Sequence, residues 1–293
     1  MANFKFILNP AAARGKSARL KDVVRELCHE RMIDFDLQVT DGPQEAIEIA
    51  QKATQDFECI VAVGGDGTVH EVVNGIMGKK VKFGVLPIGS GNDFVKAAGI
   101  PRNFITAFDT VMALNTKLVD VGKAGNLYFP NGFGIGFDAW VVQASLNVKR
   151  LRGNAIYLYS VLKTIYKYKT PVIHYTYNDV DYEGKIFMLT VGNGTSMGGG
   201  FKLTPFAQLD DGLLDLTIIR DLSKWEIYHN LYSVYFGKHV NMPQVKVDKT
   251  TKIKIESDEG FAAHADGELL SLNIRSLEIL IVPKALEVIV PKE

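Results

Sequence analysis

The chain has 293 residues, with 33 Lys plus Arg against 33 Asp plus Glu, a length that suits about two domains whose cores need no disulfide or metal staple. The balanced charge carries no polyanion-binding signature and gives no reason to expect nucleic acid as a partner. Cys28 and Cys59 are the only cysteines, which excludes a disulfide framework and fits reduced core residues of a cytosolic protein.

Phe4 to Leu8 predicts a first strand, ended by Asn9-Pro10, rather than a signal peptide. Leu20, Val23, Val24, Leu27 and Cys28 then line one helix face, and Pro43 opens a second helix carrying Ala46, Ile47, Ala50 and Ala53. The apolar run Cys59 to Val63 predicts a strand buried on both faces. It enters Gly64-Gly65-Asp66-Gly67-Thr68, after which Val69, Val72, Val73, Ile76 and Met77 recur at helical spacing. Strand Phe83 to Ile88 leads into Gly89-Ser90-Gly91-Asn92-Asp93, and a helix follows around Ile105 to Leu114.

This alternation predicts an α/β domain with a largely parallel sheet over residues 1–122. From residue 123 to 282, short strands separated by Gly/Asn turns predict a β-rich, mostly antiparallel domain. Two helical inserts interrupt it, one from Trp140 to Lys169 with Gly153 inside and one from Lys224 to about Phe236. No apolar run approaches the ~20 residues of a membrane-spanning helix, so a soluble or peripheral protein is expected.

The chemistry gathers in the clusters Gly64 to Thr68, Pro87 to Asp93 and Asp210-Asp211-Gly212. Glycines let a ligand approach bare backbone N–H groups and supply positive φ, which suits an anion at a helix N-terminus. Asp66 discriminates further: a carboxylate ~4 Å from a phosphate charge is repelled by roughly 4 kcal/mol at an effective dielectric of about 20, so a bridging divalent cation, magnesium, is expected. The bland alternative for Asp66 is a helix cap.

These clusters, with Glu71 to Gly75, Asn9-Pro10 and Gly15-Lys16-Ser17, Asn131 and Gly134 to Ala139, Asn193 and Gly198 to Gly200, Asp210 to Asp215, and Asp266-Gly267-Glu268, resemble in order the lipid kinases that include diacylglycerol, sphingosine and ceramide kinases. The resemblance covers nearly the whole chain. It implies ATP and magnesium as cofactors, a lipid hydroxyl as acceptor, and a C-terminal segment, 283–293, that returns to the nucleotide-binding α/β domain beside an antiparallel, sandwich-like partner domain. It implies that Glu268 and Asp66 are catalytic, Glu268 as the base that takes the hydroxyl proton. The nucleotide would meet Asn9, Lys16, Thr40, Gly64, Gly65, Asp66, Gly67, Thr68, Val69, His70 and Ser90. Magnesium would be held through water by Asp66, Asp93 and Asp120. A second magnesium would use Asp211 with the carbonyls of Gln208 and Leu213.

Each assignment has a plain structural counterpart. Lys16 equally suits a solvated helix start, since Pro10 stands where a P-loop needs its first glycine. Asp93 and Asp120 suit a cap and a turn, Asp211 a solvated turn, and Glu268 an exposed hairpin tip. His70 and Ser90 stand where Asn and Thr are common in the family, which leaves the lipid head group open. Six histidines show no metal spacing and read as ordinary surface or core residues.

On the lipid side, Ile156, Tyr157, Tyr159, Leu162, Ile165, Tyr166 and Tyr168 with Lys163, Lys167 and Lys169 form an aromatic, basic stripe. It suits a bilayer interface at the inner membrane face, and equally core packing or a homodimer contact. By analogy with the family, Gly198 to Gly200 and the cleft between the domains are the expected acyl-chain entrance. The rival readings are a non-catalytic nucleotide- or lipid-binding protein and a serine hydrolase, because Gly194-Thr195-Ser196-Met197-Gly198 satisfies the nucleophile-elbow pattern.

Overall fold

The computed structural model describes residues 2–12, 18–146, 148 and 154–292. The chain forms two compact units, Met1–Val119 with Lys284–Glu293, and Asp120–Pro283.

In the first unit, β1 (Phe4–Leu8), β2 (Phe35–Val39), β3 (Cys59–Gly64) and β4 (Lys82–Pro87) alternate with α1 (Ala18–Glu30), α2 (Glu45–Ala53), α3 (Asp66–Ile76), α4 (Asp93–Ala97) and α5 (Phe104–Ala113). The strands run β2-β1-β3-β4, and each neighbouring pair is parallel. β1 and β3 are buried along their whole length, which is why both read as unbroken apolar runs. β2 is an edge strand in which half-buried Phe35, Leu37 and Val39 alternate with exposed Asp36 and Gln38, and α4, only 5 residues long, is too short for a periodic signal. Phe6 stacks on Phe108 of α5 with ring centroids 6.2 Å apart. Cys28 and Cys59 are fully buried, and burial pushes their thiols up to about 12 and about 11, so neither is a reactive thiolate.

The second unit takes in most of β5 (Thr116–Ala124), then β6 (Leu127–Phe129), β7 (Gly132–Gly136), α6 (Phe137–Ser145), α7 (Asn154–Lys167), β8 (Val172–Tyr177), β9 (Val180–Gly192), β10 (Leu214–Arg220), α8 (Lys224–Tyr235), β11 (Val245–Thr250), β12 (Lys252–Ala265) and the greater part of β13 (Glu268–Ile289). The order is β11-β10-β9-β7-β12-β13, with β8 pairing both β9 and β12, and every one of these pairs is antiparallel. Its core gathers Phe129, Phe133, Tyr175, Leu189, Leu216 and Phe261. The end of β13 crosses back to the first unit, where Glu287 and Val288 pair in parallel with Lys82 and Phe83 of β4.

In the helical insert expected from Trp140 to Lys169, the described residues form α6 and α7, and α6 starts earlier, at Phe137; Gly153 lies outside the described residues. On α7, Val161 and Ile165 are buried while Leu158, Tyr159, Leu162 and Tyr166 stay exposed. The expected stripe is therefore half core and half surface. Among the described residues, no helix is long and apolar enough to cross a membrane.

Candidate active site

The expected nucleotide residues sit at equivalent places on four adjacent parallel strands. Asn9 follows β1, Thr40 follows β2, Gly64 to His70 end β3 and open α3, and Ser90 follows β4. Because the strands are parallel neighbours, all of these positions lie along one carboxyl edge, the edge at which open α/β sheets bind ligands. Asn9 closes its own turn by accepting the Ala11 N–H at 2.9 Å. Thr40, Thr68, Val69 and His70 are buried, and Ser90 is exposed. Lys16, with Gly15 and Ser17, lies outside the described residues.

The glycines of the two loops serve a different purpose from the one expected. None of Gly64, Gly65, Gly67, Gly89 and Gly91 adopts positive φ; Asn92 does, at 53°. Their smallness lets the loops touch: a Cβ on Gly89 would fall 2.7 Å from the Gly65 Cα, and one on Gly65 would fall 3.2 Å from the Gly89 Cα. Asp66 then ties the loops together. Its Oδ2 accepts the Asn92 N–H and its Oδ1 the Asp93 N–H, both at 2.7 Å. The carboxylate thus sits on the N-terminus of α4, where two amides and the helix dipole compensate its charge. The repulsion that called for a shared cation is already reduced without one. α3 itself starts from Gly65, with no side-chain cap, at the same edge.

The other expected metal residues are also engaged. The buried Asp93 carboxylate accepts from Lys96 Nζ at 2.9 Å. Asp120 Oδ2 accepts the Gly212 N–H at 2.6 Å, closing the Asp210-Asp211-Gly212 turn. Among the described residues, no three His, Cys, Asp or Glu side chains gather as direct metal ligands. The half-buried Asp66 and the neighbouring Asp93 fit a cation held through its own waters. The second expected set does not fit: Asp211 Oδ2 takes Lys249 Nζ at 2.6 Å and Oδ1 takes the Leu213 N–H at 3.0 Å. The Lys249 ammonium thus occupies the Asp211 carboxylate that was expected, with the carbonyls of Gln208 and Leu213, to hold magnesium. Lys249 also lies 3.3 Å from the buried Asp215.

In the second unit, one hydrogen-bond network connects the remaining motifs. Asp266 and Gly267 form a two-residue hairpin turn with φ of 50° and 89°, and Glu268 follows, exposed, at the start of β13. Asp266 Oδ1 accepts the N–H groups of Asn131 and Gly132 at 3.1 and 2.8 Å. Asn131 donates its amide to Ser196 O at 2.9 Å, and its carbonyl accepts from the Asn193 and Gly194 N–H groups. Asn193 in turn donates to the carbonyls of Asp120 and Pro130, both at 2.8 Å. The turn before Glu268 is therefore linked, through Asn131 and Asn193, to β5 at Asp120. Sequence reasoning had the members of this network but not their connections, because its longest links are more than a hundred residues apart.

Ser196 is buried in a segment that turns back to bridge Met197 with Phe201, and no helix follows. A nucleophile elbow needs a strand-to-helix turn with an exposed serine, so the hydrolase reading is set aside. Met197 and Phe201, which flank the Gly198 to Gly200 turn, belong instead to an apolar cluster. Phe137, Phe187, Phe201, Leu203 and Leu231 line a cavity of about 60 Å³ within it, with His239 on its wall. Burial holds His239 below the ordinary histidine range, partly offset by the Leu203 backbone, so the imidazole there is neutral. Sequence reasoning missed His239, since a lone histidine carries no spacing signal.

Comparison with known proteins agrees with this geometry. Residues 3–124 match the model of the diacylglycerol kinase catalytic domain, and residues 132–290 that of the YegS C-terminal NAD kinase beta sandwich-like domain. The chain is 30% identical to a diacylglycerol kinase of Staphylococcus haemolyticus (strain JCSC1435), over 99% of this chain and 88% of that one. It is 28% identical to a diacylglycerol kinase of Bacillus subtilis (strain 168), over 92% and 90%. A solved structure from Bacillus anthracis str. Sterne aligns with a TM-score of 0.79 and 27% identity, covering 99% of this chain and 97% of that one. With both units matched in order and near-complete coverage of its relatives, the chain belongs to the diacylglycerol kinase family of lipid kinases.

Proposed function

We propose that the protein transfers the γ-phosphoryl group of ATP to the hydroxyl of a diacylglycerol-like or sphingoid-like lipid. The observation that carries this reading is the pair of glycine loops held together by Asp66 at the carboxyl edge of the parallel sheet, which leaves the N-terminal end of α3 facing that edge. The triphosphate binds there, with Asn9, Thr40, Gly64 to His70 and Ser90 around it. Magnesium supplies charge neutralisation when bound, held through water by Asp66 and Asp93. The lipid hydroxyl oxygen attacks the γ-phosphorus as the bond to the bridging oxygen breaks and ADP leaves, and Glu268 takes the hydroxyl proton.

The apolar cavity beside His239 supports the lipid assignment, since a mostly apolar wall that carries the polar side chains of Asn230 and His239 suits part of an acyl chain and its ester or hydroxyl. α8 has no fully buried residue and is the wall that yields to admit the chain. Trp225, Tyr232 and Tyr166 are each more than three-quarters exposed, and Lys224 Nζ lies 4.6 Å over the Tyr166 ring. With Lys163 and Lys167, these helices offer an aromatic and basic surface to the face of a bilayer, where a peripheral enzyme of the cytoplasmic side finds its substrate.

Labelled ATP, magnesium and a panel of diacylglycerol, sphingoid, ceramide and phosphatidylglycerol acceptors test the proposal. Product is expected with one acceptor class, and Glu268→Gln should lower kcat by about 10² to 10⁴ while leaving the KM for ATP nearly unchanged. Absence of product with every lipid would favour the non-catalytic binding protein.

A further inference from the structure

We infer that a buried pair, His264 and Asp138, positions Glu268 by holding one tautomer of an imidazole against the backbone of its turn. The inference rests on the assignment of Glu268 as base. His264 lies on β12 immediately before the hairpin, and Asp138 lies in the first turn of α6; both are almost completely buried. The Gly267 N–H donates to His264 Nδ1 at 3.3 Å. A ring nitrogen that accepts carries no hydrogen, so the neutral imidazole bears its proton on Nε2. Nε2 lies 3.3 Å from Asp138 Oδ2, an oxygen with no hydrogen-bond partner, while Oδ1 accepts the Ala139 N–H at 2.9 Å. The carboxylate is thereby fixed in rotation and turned toward the ring.

The fold makes room for this pair. Gly134 faces His264 across the β7–β12 ladder, and a Cβ on Gly134 would fall 2.0 Å from Asp138 Oδ2 and 2.3 Å from His264 Nε2. Any larger residue there would displace one of the two. The turn they support needs support, since Asp266, a residue with a Cβ, is held at positive φ. Asp266 anchors one side of the hairpin to Asn131 and Gly132, and His264 anchors the amide of the residue just before Glu268. His264 and Asp138 are thus positioning residues that act through the backbone.

The tautomer gives a test that simple loss of packing does not mimic. In Asp138→Asn the side-chain carbonyl keeps the Ala139 N–H, and the amide nitrogen then donates to Nε2. The ring proton must move to Nδ1, where it opposes the Gly267 N–H and breaks that bond. His264→Asn retains an acceptor for the Gly267 amide that does not depend on Asp138, whereas His264→Leu retains none. Asp138→Asn and His264→Leu should each lower kcat roughly tenfold, with the KM for ATP within about twofold, because a small displacement of the base misaligns proton transfer. His264→Asn should keep most of kcat, and adding Asp138→Asn to it should cost less than about twofold. Nitrogen-15 spectra of His264 should show an unprotonated Nδ1 in the native protein and in Glu268→Gln, and a protonated Nδ1 in Asp138→Asn. An equal loss from Asp138→Asn in both backgrounds, or a native ring protonated on Nδ1, overturns the inference. Full activity in Glu268→Gln with the spectra as expected would instead remove only the assignment of the base.

Discussion

Asp215 shows how one buried residue couples stability to pH. It lies on β10, is nearly inaccessible to solvent, and has Lys249 Nζ 3.3 Å away to share its charge. Burial raises its carboxyl above the ordinary value of 3.8, and Lys249 offsets that only in part. An acid raised in the folded state binds more protons there than in the unfolded chain, so its contribution is fully present below about pH 3.8 and is lost as pH climbs through the folded value. Asp215→Asn, neutral and of the same shape, should therefore unfold at the same temperature as the native protein or higher near pH 8, and should flatten this part of the decline. Calorimetry between about pH 4 and pH 8 checks it, and a variant less stable than the native protein across that whole range would show Lys249 to be the stronger influence.

At the scale of elements, the two glycine loops behave as one unit, since backbone contact and the Asp66 carboxylate join the end of β3 to the start of α4. Gly89→Ala should drive a methyl group into the Gly65 backbone and separate the loops. We expect a stability loss of about 1–3 kcal/mol, within the range for overpacking, together with a raised KM for ATP while the KM for lipid holds. Urea unfolding and two-substrate kinetics measure both, and an unchanged KM for ATP would place the nucleotide away from these loops. The sequence marked both loops by composition, yet it assigned their glycines to ligand approach and positive φ. The contact that explains them spans twenty-four residues of chain, and no local pattern reports it.

At the scale of the whole molecule, the chain returns to where it began. Leu286, Val288 and Ile289 are buried, β13 pairs with β4, and the Val290 N–H reaches Asn115 O at 2.8 Å. Deleting residues 284–293 should destabilise the first unit by more than about 3 kcal/mol, given the apolar burial of three large side chains. A segment of residues 2–119 should gain cooperative unfolding only when 284–293 are joined to it by a flexible linker; cooperative unfolding without them would show the returning strand to be dispensable. By itself, the sequence determined the long apolar strands β1, β3 and β4, the amphipathic helices between them, the order of the Gly/Asp motifs and the family they resemble. Those signals are local, set by side-chain period and turn chemistry over a few residues. Only the tertiary structure decided that Asp66 caps a second loop, that Lys249 answers Asp211, that Asn131, Asn193 and Asp266 form one network, and that His264 meets Asp138. Each of these depends on which distant backbone a buried polar atom finds when water is excluded, and hydrogen-bond satisfaction in a closed interior is settled by the packed fold rather than by neighbours in the chain.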